Sequence, residues 1–175
     1  IEKVLYDNAC TITSRELPNG GYSVIVGAVL PNNEEVFSLP VDFTYDYASG
    51  MDGVVHNILA MADSFKGTPY VWGGTTPSGF DCSGFVQYVY NHNGYSITRT
   101  TYTQWASDGY FVQKSELKPG DLVYFGSGNS PSHVGLYVGD GMMIHSPRTG
   151  DVIKYTTIES GYYNNCYLGA KRIVR

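Results

Sequence analysis

Three residues of this chain have the chemistry and the placement for nucleophilic catalysis: Cys82, His133 and His145. A thiol attacks as its thiolate, and a helix N-terminus favours that form because unpaired backbone N–H groups and the positive end of the helix dipole stabilise negative charge. Cys82 stands at the expected start of a helix that turns Phe85, Tyr88 and Val89 inward and stops at Gly94. The preceding loop, Gly74 to Gly79, carries little bulk, so a substrate backbone has room to reach the sulfur. The competing reading makes Cys82 a small buried residue between Phe80 and Phe85. His133 lies near the start of the run Ser132-His133-Val134-Gly135-Leu136-Tyr137-Val138, and His145 ends Met142-Met143-Ile144-His145 across the turn Gly139-Asp140-Gly141. Consecutive antiparallel strands set such residues side by side. On one face, His133 can serve as base while His145 bonds its Nδ1 and leaves Nε2 toward the sulfur. A lone histidine is more often a core or edge residue with satisfied hydrogen bonds, and His56 and His92 are read that way.

The elements that must position these groups are legible in the apolar spacing. Val55, Ile58, Leu59, Ala62 and Phe65 recur at helical intervals from Val54, and Gly67 with Pro69 supplies a stop. After the helix headed by Asp81 or Cys82, the pattern turns to strands at Leu122 to Phe125, His133 to Val138, Met142 to His145, Val152 to Tyr155 and Tyr167 to Val174. Helices followed by strands predict an α+β domain, with helices packed on one face of an antiparallel sheet. Upstream, Phe37, Leu39, Val41, Phe43 and Tyr45 alternate with polar or turn residues. Tyr22 to Leu30 forms a second run, and Cys10 to Ser14 a third, which together predict a three-stranded meander. The character changes near Tyr47 to Gly53, so the expected organisation is a small β-rich module over 1–47 and a catalytic domain over 48–175.

Composition narrows the function. In 175 residues there are 16 acidic against 11 basic side chains and no basic stripe, which excludes a nucleic-acid binder. The longest apolar stretch, Tyr22 to Leu30, is too short for the roughly 20 helical residues that cross a bilayer. No positively charged leader precedes an apolar core near Ile1, and a start without Met is what a processed or excised segment would show. Three cysteines fit neither a disulfide framework nor paired zinc ligands. Cys10 and Cys166 either pair in an oxidising compartment or stand unlinked. A monomer with no cofactor and no metal is expected.

Five runs carry a resemblance. These are Tyr70-Val71-Trp72-Gly73-Gly74, Phe80-Asp81-Cys82-Ser83-Gly84-Phe85-Val86, Leu117-Lys118-Pro119-Gly120-Asp121-Leu122-Val123-Tyr124-Phe125, His133-Val134-Gly135-Leu136-Tyr137-Val138-Gly139 and Ile144-His145-Ser146-Pro147. In unbroken order over the last two-thirds of the chain, they resemble the NlpC family of papain-like cell-wall peptidases. The strands before Tyr47 are outside the match.

The resemblance implies a papain-like fold, with Cys82 as nucleophile, His133 as base and His145 as third polar residue. It implies a secreted bacterial enzyme that hydrolyses the bond between γ-D-glutamate and a diamino acid in peptidoglycan stem peptides. Tyr70, Asp81 and Ser83 match positions that line the pocket for the preceding residue. There Asp81 would pair with a free α-amine of the terminal L-alanine. The Tyr70 hydroxyl would join the Cys82 N–H in meeting the oxyanion. Trp72 either walls the cleft or packs as a core aromatic, and Arg148 either meets a substrate carboxylate or is a solvated loop cation. Other readings on the same residues are an amidase or acyl transferase, a non-hydrolytic wall-binding module, and a metal site through Cys82, His133 and His145.

Overall fold

A computed structural model describes residues 20–24, 27–29, 32, 35–37, 41–45 and 51–174. The chain divides into two compact units, Ile1–Ser49 and Gly50–Arg175.

In the first unit, β1 (Gly20–Val24) and β4 (Val41–Tyr45) pair antiparallel from Gly20↔Tyr45 to Val24↔Val41. Between them, β2 (Gly27–Val29) pairs with β3 (Glu35–Phe37), from Gly27↔Phe37 to Val29↔Glu35. The run expected as one strand over Tyr22 to Leu30 is thus divided between two ladders whose registers differ by one residue. The expected strand at Cys10 to Ser14 lies outside the described residues.

The second unit opens with α1 (Met51–Ser64), in which Ile58 and Ala62 are fully buried one turn apart. Gly67, at φ +84°, closes this segment. A small hairpin, β5 (Thr75–Thr76) with β6 (Gly79–Phe80), leads into α2 (Cys82–His92). Asp81 caps α2 by accepting the Gly84 N–H at 2.6 Å, satisfying one of the orphan donors of the first turn. Phe85, Val86, Val89 and Tyr90 are fully buried and form its inward stripe. Next comes α3 (Thr101–Ser107), an element absent from the sequence expectation, which starts with a capping box between Thr100 and Thr103.

The strands β7 (Tyr110–Val112), β8 (Leu122–Ser127), β9 (Ser130–Gly139), β10 (Met142–His145) and β11 (Lys154–Thr157), then the short α4 (Gly161–Asn165) and β12 (Tyr167–Arg172), complete the chain. Six of them form one antiparallel sheet in the order β11-β10-β9-β8-β12-β7. The expected strand at Val152 to Tyr155 begins two residues later, because Val152 instead bridges Pro69. The side-chain alternation of β8 divides the hydrophobic residues into two layers. Leu122 and Tyr124 join Val134, Leu136 and Ile144 against α1 and α2, while Val123 and Phe125 join Met143, Ile158 and Ala170 on the other face. Burial of each such side chain contributes about 2 kcal/mol, so both layers pin the sheet.

The connection of β9 to β10 sets the site. Asp140 (φ 51°) and Gly141 (φ 67°) are both left-handed, as a two-residue type I′ hairpin turn requires. That turn fixes Met142↔Gly139, and an irregularity between Met142 and Met143 shifts the pairing by one residue to Met143↔Tyr137 and Ile144↔Leu136, which brings His145 level with Gly135.

Candidate active site

Cys82 is the first residue of α2, and 9% of it is exposed. Its Sγ lies 3.7 Å from Thr101 Oγ1, at the start of α3. Burial pushes the thiol above its ordinary value. The Thr101 hydroxyl and the backbone N–H groups of Val134 and Ser83 oppose that shift, and the Asp81 charge adds to it. The resting thiol is therefore neutral, and it meets β9 at Val134, the residue after His133. Its side-chain hydrogen bond goes to Thr101 and not to the imidazole of His133.

His133 Nε2 and His145 Nδ1 are 2.8 Å apart, with the rings nearly perpendicular at 80°. This corrects the expected orientation, in which His145 bonded Nδ1 of His133 and Nε2 turned to the sulfur. His145 stands level with Gly135, two residues along β9, and a diagonal neighbour across strands is reached by the outer edge of the ring, which carries Nε2. The nitrogen left over on His133 is Nδ1. On its far side, His145 Nε2 lies 2.9 Å from Thr156 Oγ1 on β11, and Tyr163 OH lies 3.4 Å from His145 Nδ1. Burial lowers His133 to about 4 and His145 to about 3, so both rings are neutral at neutral pH. One nitrogen of the 2.8 Å pair must then donate and the other accept.

Asp81 is saturated. Oδ2 accepts from Gly73 N–H at 3.1 Å and Arg99 Nη2 at 2.6 Å, while Oδ1 accepts from Gly84 N–H, Ser83 Oγ at 3.3 Å and Arg99 Nη1 at 3.0 Å. Arg99 also donates to the buried Ser83 hydroxyl. Tyr70 donates its N–H to Asp151 O at 2.9 Å. Burial, with the Cys82 and Asp81 charges behind it, raises its phenol, while Arg99 acts the other way, so the hydroxyl stands among those groups as a protonated donor. Trp72 is 86% exposed, which rules out the core-aromatic reading, and Arg148 is exposed on the loop after β10. Among the described residues, no group of three His, Cys, Asp or Glu is arranged to hold a metal ion.

The residues that sequence reasoning missed are Arg99, Thr101, Gln104, Thr156 and Tyr163. Gln104 Nε2 ties α3 to α2 through Ser83 O at 3.1 Å and to Thr98 O at 2.9 Å. The Thr100-x-x-Thr103 spacing was the available signal for α3 and thus for Thr101. Nothing local marks Thr156 or Tyr163.

Comparison with known proteins matches residues 67–172 to the NlpC/P60 family. Over 128 residues the chain is 41% identical to the gamma-D-glutamyl-L-lysine dipeptidyl-peptidase of Bacillus subtilis (strain 168), covering 71% of this chain and 43% of that protein. Over 118 residues it is 45% identical to the murein DD-endopeptidase MepH of Escherichia coli (strain K12), covering 62% of this chain and 42% of that one. The crystal structure of an NlpC/P60 family protein from Bacillus cereus ATCC 10987 shares the fold with a TM-score of 0.67 at 32% identity, over 85% of this chain and 50% of that chain. The chain spans less than half the length of the two curated relatives.

Proposed function

The chain belongs to the NlpC/P60 family, and on that premise we propose that it is a bacterial cell-wall cysteine peptidase that cuts the bond between γ-D-glutamate and a diamino acid in peptidoglycan stem peptides. The observation that carries this reading is the meeting of the α2 N-terminus with β9. The Cys82 thiol lies against the Val134 N–H, one residue from an imidazole whose other nitrogen is engaged by His145. The Bacillus subtilis relative's name supports the bond.

In this reading the thiol leaves Thr101 and passes its proton to Nδ1 of His133 as the sulfur attacks the γ-carbonyl carbon. The carbonyl π-bond electrons move to oxygen, and that oxyanion is met by the Cys82 backbone N–H and the Tyr70 hydroxyl. Collapse of the tetrahedral species breaks the C–N bond, and the imidazolium protonates the departing amine. Water, deprotonated by the same nitrogen, then hydrolyses the thioester and frees the thiol. His145 and Thr156 hold the ring of His133 throughout.

For Asp81 we propose a part other than the amine contact that its motif position implies. With five donors on its two oxygens it has no vacant lone pair for a substrate amine, so we read Asp81 and Arg99 as a rigid wall of the pocket. Residues 48–175 would carry the catalysis and 1–47 form an accessory β module. Because the substrate lies outside the cytoplasm, the protein would act after export. Among the described residues no helix is long and apolar enough to cross a membrane.

The name of the Escherichia coli relative favours a second bond, that of a murein DD-endopeptidase. Digestion of purified muropeptides followed by mass spectrometry separates the two: release of an Ala-Glu fragment supports the γ-glutamyl bond, and resolution of cross-linked dimers into monomers supports the other. Unchanged muropeptides in both assays would end the peptidase reading.

A further inference from the structure

Gly161, at φ +62°, turns the chain into α4, which places Tyr163 over the imidazole pair. Its ring stands edge-on to His145, with centroids 5.1 Å apart at 89°, and tilts at 35° toward His133 at 5.7 Å. The other side of the ring packs edge-on against Phe125 at 4.9 Å. The phenol is held up at about 12 by burial, so it remains protonated across the functional pH range. His145 Nδ1 thus faces two groups at once, His133 Nε2 at 2.8 Å and Tyr163 OH at 3.4 Å.

Two neutral imidazoles in series can be hydrogen-bonded in either direction. If His145 Nδ1 carries the proton, it donates to His133 Nε2, and the single proton of His133 sits on Nδ1, where it blocks uptake of the thiol proton. If His145 Nδ1 is bare, His133 Nε2–H donates to it, His145 Nε2–H donates to Thr156 Oγ1, and Nδ1 of His133 is free. The Thr156 hydroxyl can donate or accept and so does not choose between them. A phenol does, because delocalisation of its oxygen lone pair into the ring makes it a better donor and a poorer acceptor than an alkyl alcohol.

We propose that Tyr163 is a positioning residue that sets the direction of this hydrogen-bond chain: its hydroxyl is the longer arm of a three-centre bond in which the lone pair of His145 Nδ1 accepts chiefly from His133 Nε2–H, and it thereby keeps Nδ1 of His133 free to accept the Cys82 proton. This deepens the peptidase reading and rests on Cys82 and His133 being nucleophile and base.

The test is nitrogen-15 NMR of the histidine rings near pH 7, combined with mass-resolved alkylation of Cys82 by iodoacetamide, in the intact chain and in Tyr163→Phe. The expected wild-type result is a proton on Nε2 of both His133 and His145. In Tyr163→Phe, a population of His133 with its proton on Nδ1 appears. Alkylation and kcat fall together by about fivefold, equivalent to about 1 kcal/mol, while KM and Tm stay the same. Thr156→Ser, which keeps the hydroxyl, retains the wild-type tautomer. A wild-type His133 with its proton on Nδ1, or a Tyr163→Phe protein with unchanged tautomers and alkylation, overturns the proposal. Failure of the peptidase reading shows separately, as muropeptides left uncut by the wild-type chain, and failure of the nucleophile assignment as cleavage that persists in Cys82→Ala.

Discussion

Gly135 lies level with His145, and a β-carbon at position 135 would come within 3.3 Å of His145 Cβ and 2.5 Å of Met143 Sδ. The second imidazole can therefore approach β9 only because the residue opposite has no side chain. Gly135→Ala should push His145 away from His133 and strain the layer around Met143. The expected outcome is a loss of about 1 to 3 kcal/mol in stability, with a fall in kcat larger than any rise in KM. Thermal unfolding together with steady-state kinetics on a stem peptide checks it, and a variant with wild-type kcat would show that the contact is dispensable.

Cys82→Ala should abolish cleavage of muropeptides, since in the proposed reaction the sulfur forms the covalent bond. Tyr70→Phe should slow turnover by about 100-fold, the usual effect of losing one oxyanion donor worth about 3 kcal/mol. Single-turnover rates measured at saturating substrate separate this from weakened binding.

The pH profile follows from burial. If His133 is the base, its competent form is the neutral ring, and its folded value of about 4 means that kcat/KM should hold through pH 6.5 and fall only as pH drops toward 4. Stability should move over a related window. The unfolded chain protonates its histidines near 6.5 while the folded chain does so at about 4 and about 3, so the unfolded state binds more protons between these values and Tm should fall as pH decreases through them. His145→Asn should flatten that slope. An acid limb centred near 6.5 would show that the rings are solvated in the working enzyme.

Arg99 bonds both oxygens of Asp81, with 14% of the Asp81 side chain exposed. Arg99→Met should leave a partly buried carboxylate short of two donors, costing about 2 kcal/mol in stability and raising KM. Arg99→Lys should recover only part of the loss, because an ammonium cannot present the same planar pair of N–H groups. Chemical denaturation of the three proteins gives the comparison.

If the Asp81 oxygens are fully taken, the N-terminal amine of the stem should contribute little. Stem peptides with a free and with an acetylated L-alanine should then be cut with kcat/KM values within about threefold of each other, a difference of less than 1 kcal/mol. Strict dependence on the free amine would mean that substrate displaces Arg99.

The parts of the fold that could be read in advance were those in which a local pattern and a tertiary role coincide. The apolar spacing of α1 and α2, the Gly139-Asp140-Gly141 turn and the strand of His145 all follow from periods and turn chemistry within a dozen residues. Cys82, His133 and His145 stood out as candidates because nucleophiles and bases are few in kind, and the structure sets His133 and His145 2.8 Å apart. The ring orientation was not, since it depends on a register that sets His145 diagonal to His133. Arg99 reaches Asp81 across 18 residues and Tyr163 reaches His145 across another 18, and no pattern in either segment declares its distant partner. Val152 was misplaced because an apolar residue beside a turn serves equally as a strand end or as a bridge to another segment.

Cys82 is built into the hydrophobic layer that α1 and α2 cover, whereas His133 and His145 have ring contacts with Phe125 and Tyr163, which belong to the second layer. In the proposed reaction neither layer suffices alone, so partial unfolding of either one would separate the reacting groups. Enzymatic rate would thereby be a gauge of whole-domain integrity, and turnover should be lost at urea concentrations no higher than those that remove the circular-dichroism signal.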